Sequence, residues 1–286
     1  MPSGTAAPAI AASPSDCLLP LRAVLWVAGA RREPSIQSLF QSFSWPEIAY
    51  CSVVIVVAYA ARGSTGFGAA AAMPLLGLVI PLKVLIPAWT LIGLSAGITL
   101  LGRDRKNIAW RDTAALLPGC LIGMLFGLYI FKTLDSRTLA RGLGVLVLIY
   151  GAHALWGTFR GPTKWNVPPR VAAPVAGLLG GAVGTTFGTM ASLFFAIYFD
   201  VIRMSKDHFR ATLSAILVAL GVARGIGYFA IDEFNHDVLL TFAFAVPLML
   251  VGIFIGDRFH TGLSELGFRR VVSVALIVSG LALLAK

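Results

Sequence analysis

The sequence predicts an all-α polytopic membrane protein made of two homologous, inverted repeats. Composition, a series of long apolar runs and an internal repeat lead to this prediction. Of the 286 residues, 57% are apolar and 13% are charged, whereas soluble domains carry about 25% charged residues. This composition excludes a soluble globular protein. The net charge of +10 predicts no nucleic-acid partner, because the chain lacks a polar domain on which a basic patch would lie.

Residues 1–46 differ in composition from the rest of the chain. They are rich in Ala, Ser and Pro, and Arg22 interrupts their one apolar run at 18–30. Arg31 and Arg32 follow that run, whereas a secretory signal carries its positive charges before the apolar region. We expect a disordered or surface-lying tail. A short amphipathic helix on the lipid surface, with Trp26 on its apolar face, stays open as the alternative.

The chain from Glu47 onward alternates between long and short apolar runs. Six runs are long enough to cross a membrane: 84–101, 113–131, 139–158, 210–230, 238–257 and 270–285. Two pairs of shorter runs, 48–62 with 69–80 and 171–186 with 188–200, flank Gly-rich segments. We expect each pair to form a broken or re-entrant hairpin. Because a spanning helix needs about 20 residues, the sequence predicts about eight transmembrane segments.

An internal repeat relates the two halves of the chain. Residues 111–155 match residues 240–284 at an offset of 129, and both halves carry Thr-x-Phe-Gly, at Thr65 and at Thr185. The matched pairs include Pro118 with Pro247, Gly123 with Gly252, Gly127 with Gly256, Arg141 with Arg270 and Gly151 with Gly280. Chance similarity among apolar helices is the competing explanation. Duplication predicts a first repeat at 47–160, a cytoplasmic linker at 161–170 and a second repeat at 171–286.

Equivalent loops of the two halves carry opposite charge, which favours inverted repeats. Loop 102–111 holds four Lys or Arg residues, whereas its counterpart 231–237 holds none and carries three acidic residues. An inverted arrangement places the loops near 102–111, 158–170, 200–210 and 258–270 on one side, with thirteen Lys or Arg against eight on the other. The positive-inside rule predicts that this side is cytoplasmic.

The Gly-rich segments Arg62–Gly68 and Gly180–Gly188 are the candidate functional site. Non-helical backbone at membrane depth is tolerated only where protein or a watery cavity covers it. Half-helices restarting at Ala69 and Thr189 direct free N–H groups at one central region, which suits an anion. Broken helices at matching positions of two halves indicate a transporter site near the midplane. Close helix packing is the alternative reason for these glycines.

Two arginines fall within apolar runs. An arginine at the centre of a membrane helix costs about 2.5 to 3.5 kcal/mol, so Arg224 and Arg62 are candidate binding residues. A bound anion or Asp257 is the expected partner of Arg224, and snorkelling to the interface is the alternative. Arg210 lies at a helix start, where a snorkelling side chain is the simpler interpretation.

Enzyme chemistry has weak support. Gly63-Ser64-Thr65-Gly66 superficially resembles the serine motif of an intramembrane protease, with His153 as its base. The sequence contains no zinc-protease motif and no nucleotide-binding loop. Cys17, Cys51 and Cys120 lie far apart, so they predict neither a disulfide framework nor a zinc site. We therefore expect no enzyme activity, no cofactor and no metal.

The chain resembles the sulfite exporter TauE/SafE family over about residues 47–286. The resemblance rests on Gly63-x-x-Gly66-Phe67-Gly68 with Pro74, on the Gly-Gly segment ending at Gly188, and on Arg210-Ala211-Thr212. It implies a multi-pass protein of the bacterial inner membrane that moves small sulfur or organosulfur oxyanions. The sequence departs from the family at Ala69–Ala72, where glycines are usual, and at Thr185, Thr186 and Thr189.

Together these observations predict a secondary permease that exports small anions, such as sulfite or organosulfonates, by alternating access. An anion channel is the first alternative, and an intramembrane serine protease or a structural membrane partner follows. A small anionic solute and the lipid bilayer are the expected partners, and a homo-oligomer is left open. The predicted binding residues are Arg62, Gly63, Gly66, Phe67, Gly68, Thr185, Thr186, Phe187, Gly188, Arg210, Thr212 and Arg224.

Overall fold

A computed structural model describes residues 43–65, 71–160, 168–258 and 265–285 of the chain. Most of the predicted tail, residues 1–42, lies outside these ranges. The helical unit comprises the residues from Ser44 onward. All its regular elements in these ranges are helices: α1 Trp45–Thr65, α2 Ala72–Leu76, α3 Leu82–Asp104, α4 Trp110–Thr133, α5 Ser136–Arg160, α6 Pro169–Phe187, α7 Ala191–Val201, α8 Lys206–Ala230, α9 His236–Arg258 and α10 Glu265–Ala285, with a 3-10 turn at Arg105–Asn107.

Polar residues set the start of two of these helices. The Ser44 backbone N–H and hydroxyl both donate to the Glu47 carboxylate, at 2.9 and 2.8 Å. Glu47 thus reaches back to the residue before α1, as the acidic residue of a capping box does. Asp135 caps α5 by accepting from the Arg137 N–H and the Thr138 hydroxyl. These hydrogen bonds stabilise the charged form and lower the pKa of Asp135 below its ordinary value.

Six helices of the described chain are long and apolar enough to cross a membrane. They are α1, α3, α4, α5, α8 and α9. The prediction of an all-α protein with multiple spans is thus confirmed. Run 48–62 was not among the six runs predicted to span the membrane by themselves. That part of the prediction was wrong, because α1 extends beyond this run in both directions and is long enough to span alone. The described apolar part of the last run, Val272–Ala285, falls among the shorter apolar helices.

The prediction that helices break throughout both Gly-rich segments was wrong. Helix α6 continues through Gly180, Gly181 and Gly184 and ends only at Phe187, and α1 continues to Thr65. Packing explains the second segment: a methyl group added at Gly181 would lie 2.2 Å from the Cys120 carbonyl oxygen. These glycines let neighbouring helices approach closely, which offsets their low helix propensity.

Glycines bring two pairs of helices into backbone contact. Gly119, Gly123 and Gly127 of α4 face Pro174, Leu178 and Ala182 of α6 in turn. Residue numbers rise together along both helices, so α4 and α6 run parallel. In the same way, Gly252 and Gly256 of α9 face Val56 and Ala60 of α1. Helices α1 and α9 are therefore also parallel.

Two other pairs run antiparallel. Gly144 of α5 faces Gly280 of α10, whereas Gly151, further along α5, faces the earlier residue Ser273. Helices α3 and α8 show the same reversal, because Thr90 bonds Arg224 whereas Gly97 faces Val218. These contacts define two ends of the bundle.

End A carries the start of α3, the end of α8 and the α4–α5 turn. The Leu82 N–H donates to the Ser136 hydroxyl there at 3.0 Å. End B carries the α3–α4 turn and the start of α8. The Ala109 N–H donates to the Thr212 hydroxyl at that end at 2.9 Å.

The close contact between α4 and α6 can be tested by substitution of its glycines. A methyl group at Gly123 would lie 2.1 Å from the Leu178 carbonyl oxygen, whereas one at Gly93 would meet nothing within 4 Å. We expect Gly123→Ala to destabilise the protein by about 1–3 kcal/mol, as overpacking does. Gly93→Ala is expected to leave the stability unchanged or to raise it slightly, because alanine has the higher helix propensity. Thermal unfolding of both variants in detergent measures this, and equal melting temperatures would contradict the contact.

Candidate functional site

The break in the second half is short and deeply buried. Gly188, with φ 72°, and Met190, with φ 67°, both adopt the left-handed conformation between α6 and α7. Gly188 faces Met73 of α2 and Ile86 of α3, and an added methyl group would lie 2.5 Å from Met73 Cε. The turn between α6 and α7 therefore contacts the short helix α2. Left-handed Met190 is strained, as residues at functional sites often are.

The predicted restart of a half-helix at Thr189 was wrong, because α7 begins at Ala191. The described helix of the first hairpin, α2, begins at Ala72 and has only five residues. So short a helix contributes little dipole, since the macrodipole is a sum over aligned peptides. Ala69 lies outside the described residues, as do Gly66, Phe67 and Gly68 of the predicted site.

Arg224 is buried between α8 and α3. Its side chain is 7% exposed, and its Nη2 donates to the Thr90 hydroxyl at 2.8 Å. Its guanidinium carbon lies 6.0 Å from the centre of the Tyr228 ring, one turn further along α8. The buried Nε has no hydrogen-bond partner among the described residues. The snorkelling alternative was therefore wrong, because this arginine extends into the protein. The side chain of its other expected partner, Asp257, is not described.

Arg62 is buried in the last turn of α1. It is 8% exposed, and its guanidinium carbon lies 5.8 Å from the centre of the Tyr59 ring. The Tyr59 ring contacts Trp89 of α3, with ring centres 5.5 Å apart. The buried Tyr59 hydroxyl has no partner within the described ranges. Two consecutive residues of α3 therefore contact the two arginine regions: Trp89 contacts Tyr59 beside Arg62, and Thr90 bonds Arg224.

The charges of these arginines are not balanced within the described structure. Its one ion pair joins Lys83 to Glu233, so no described carboxylate pairs with Arg62 or Arg224. A buried charge is costly unless it is paired and hydrogen-bonded. The arrangement thus suits a bound anion.

Helix α6 contributes polar groups beside Arg224. Fully buried Tyr228 donates its hydroxyl to the Thr185 carbonyl, one of the last carbonyls of α6, which lack a partner within the helix. The Thr185 hydroxyl itself has no partner in the described part of the chain. The Thr186 hydroxyl donates to the Gly127 carbonyl at 3.3 Å. The Phe187 ring packs against Gly142 of α5.

The structure separates two predicted site residues from the rest. Thr212 accepts a hydrogen bond from the Ala109 N–H at end B. It lies twelve residues before Arg224 on the same helix, which corresponds to about 18 Å. Arg210 lies two residues earlier still, and its side chain is not described. Because a small anion spans only a few ångströms, Thr212 and Arg210 do not share a binding site with Arg224.

Three site residues were missed from the sequence: Tyr59, Thr90 and Tyr228. Two of them carried a signal, because each tyrosine lies three or four residues from a membrane-embedded arginine, on the same helical face. Thr90 had no distinguishing pattern, since threonines are common in apolar helices and only the packing of α3 on α8 brings it to Arg224.

Comparison with known proteins identifies the family. The sequence model of the sulfite exporter TauE/SafE family matches residues 51–283. The chain belongs to this family. It is 28% identical over 209 residues to the "Probable inner membrane transporter protein TsaS" of Comamonas testosteroni, covering 72% of this chain and 81% of that relative. It is 25% identical over 217 residues to the "Probable sulfite/organosulfonate exporter TauE" of Cupriavidus necator, covering 73% and 81%. No solved structure matches the chain.

Family membership decides the class of the protein. TauE/SafE proteins are transporters, so the chain is a membrane transporter, and the prediction that it is not an enzyme is confirmed. The protease alternative at Ser64 is thereby set aside. The predicted location in the inner membrane, with multiple spans, is also confirmed.

The hydrogen bond from the Tyr228 hydroxyl to the Thr185 carbonyl leads to a prediction about stability. Tyr228→Phe leaves the buried Thr185 carbonyl without its donor, which costs about 1–3 kcal/mol. The matched control is Tyr129→Phe, because Tyr129 is 67% exposed on α4. Thermal unfolding in detergent is expected to show a lower melting temperature for Tyr228→Phe alone. Equal values for the two variants would mean that this hydrogen bond does not stabilise the fold.

Proposed function

We propose that the protein is a secondary transporter that exports small oxyanions, such as sulfite or organosulfonates, by alternating access. The observation that carries the proposal is the pair of buried arginines, Arg62 and Arg224, without a described carboxylate partner. They lie on helices around the place where the two broken hairpins meet. The Cupriavidus relative is named as an exporter of this solute class.

The binding site is proposed to centre on Arg224. Its unpartnered Nε is a hydrogen-bond donor for a solute oxygen, while Thr90 and the Tyr228 ring hold the guanidinium in place. Arg62 and the unpartnered Tyr59 hydroxyl supply further charge and a further donor from the other side of α3. Gly188 lets the backbone of the break approach α3. Oxyanions suit this set because their oxygens accept several hydrogen bonds at once.

Inverted repeats supply the alternating movement in this proposal. Helices α5 and α10 occupy equivalent positions of the two repeats and run antiparallel, as α3 and α8 do. A two-fold axis that exchanges antiparallel helices is perpendicular to them, so for spanning helices it lies in the membrane plane. The parallel pairs α4 with α6 and α9 with α1 fit the same exchange. The two hairpins then start from opposite ends of the bundle. Counting each hairpin as one segment, together with α3, α4, α5, α8, α9 and α10, gives eight segments in total.

The membrane potential drives export in this scheme. The sequence predicts thirteen Lys or Arg residues for the loops at end B, against eight elsewhere outside the apolar core. By the positive-inside rule this excess favours a cytoplasmic location for that end. Moving one negative charge outward across an inside-negative membrane releases about 2.3 kcal/mol per 100 mV. Efflux of an anion therefore needs no ATP.

Arg224 provides the central test. Arg224→Ala is expected to reduce flux of labelled sulfite in proteoliposomes by at least about tenfold, since a charged hydrogen bond is worth about 1.5–3 kcal/mol. Arg224→Lys is expected to recover only part of the flux, because lysine keeps the charge but lacks the planar fork of donors. The matched control is Arg170→Ala, which removes an exposed arginine at the start of α6 and is expected to retain flux.

Size-exclusion profiles and membrane insertion of each variant separate loss of binding from loss of fold. Saturable flux, competition by sulfate or a sulfonate, and counterflow are expected of a carrier, whereas a channel shows no counterflow. Normal sulfite flux in Arg224→Ala would remove this residue from the mechanism. Absence of flux in folded wild-type protein, for sulfite and for both competitors, would require another solute.

The inverted arrangement predicts that equivalent loops face opposite sides of the membrane. Lys106 and His236 are exposed and lie in the loops that the internal repeat matches. In a Cys17→Ser background, where Cys51 and Cys120 are buried, we expect Lys106→Cys to react with an impermeant thiol reagent from the cytoplasmic side. We expect His236→Cys to react from the other side. Labelling of both from one side would indicate parallel repeats.

A further inference from the structure

A second cation lies between Arg224 and the surface at end A. Lys83 is the second residue of α3, seven residues before Thr90, which corresponds to about 10 Å along the helix. Its Nζ donates to the Phe131 carbonyl of α4 at 2.7 Å and lies 4.4 Å from the centre of the Phe131 ring. These two contacts hold Lys83 against α4.

Two aromatic rings connect Lys83 to Arg224. The Phe131 ring, beneath Lys83, packs edge to face with the Tyr228 ring at 5.1 Å. The Arg224 guanidinium carbon lies 6.0 Å from the centre of the same Tyr228 ring. A cation therefore lies at each end of this aromatic pair.

The third contact of the Lys83 ammonium group is with the Glu233 carboxylate. Its carboxylate lies 3.5 Å from Nζ, at the long limit of a hydrogen bond, and the two side chains are 21% and 26% exposed. The Glu233 backbone N–H donates to the Tyr228 carbonyl at 3.0 Å, which keeps the carboxylate near Lys83. Lys83 thus has two close contacts with α4 and one long contact with the Glu233 carboxylate.

We propose that Lys83 is a second anion-binding position on the route from Arg224 to end A, and that the Glu233 carboxylate occupies it as an internal competitor of the transported oxyanion. The ligand class is a small oxyanion with at least two free oxygens, such as sulfite. When the solute reaches Lys83 it displaces Glu233, and Glu233 returns when the solute leaves. This inference rests on the proposed function for the identity of the solute.

Equilibrium binding of labelled sulfite to purified protein, together with flux, tests the proposal. Glu233→Gln is expected to lower the sulfite Kd, or to add a second binding equivalent, by removing the competitor. The expected change in Kd is about two- to fivefold, the range for a partly exposed ion pair. Lys83→Gln is expected to abolish this gain when combined with Glu233→Gln. The matched control is Asp232→Asn, which removes a neighbouring exposed acid, and asparagine accepts the left-handed backbone at that position.

The outcomes separate the proposal from the proposed function. Tighter or additional binding in Glu233→Gln, but not in Asp232→Asn, supports it. Equal tightening in both variants indicates a general effect of charge and overturns it. Lower melting temperatures without a change in Kd make the pair a structural clamp and also overturn it. If wild-type protein shows neither sulfite flux nor sulfite binding, the proposed function fails and the sulfite-binding role of Lys83 fails with it, whereas unchanged Kd values beside normal flux reject the Lys83 position alone.

Discussion

The guanidinium of Arg224 sets the requirement that the surrounding structure must satisfy. A charge inside a low-dielectric protein within a bilayer is costly unless polar groups or an opposite charge surround it. Thr90, the Tyr228 ring and the end of α6 provide the polar surroundings. None of them supplies a negative charge. The site is therefore polar enough to hold an arginine in place and still electrostatically favourable for an anion.

Close helix packing makes this arrangement possible. Glycines bring α4 against α6 and α9 against α1 until their backbones touch. The end of α6 thereby comes within reach of Tyr228, and the left-handed turn at Gly188 comes to rest on α3. The described glycines act in two ways: many let helices approach, and among them Gly188 alone has the positive φ that a side chain would strain.

Residue types and spacing were enough to predict the membrane class, the all-helical fold and the two arginines that the structure buries. Interpretation of the Gly-rich segments was less successful. Glycine lowers helix propensity in isolation, so Gly180–Gly188 was expected to be broken, but packing against Cys120 and Phe195 keeps most of it helical. Tyr59 and Tyr228 were detectable from their spacing to the arginines. Thr212 was misplaced in the site because its family motif marks a helix start at end B.

The sequence by itself determined that this chain is a polytopic membrane transporter and predicted a duplicated plan, because hydropathy, family motifs, loop charge and repeat are properties of residues in order. Only the tertiary structure decided which polar groups surround Arg224 and that Lys83 lies at the far end of the same aromatic pair. Those contacts join α3, α4, α6 and α8, which are distant in the chain. Their positions depend on how glycine faces pack in three dimensions, and local spacing does not encode that packing.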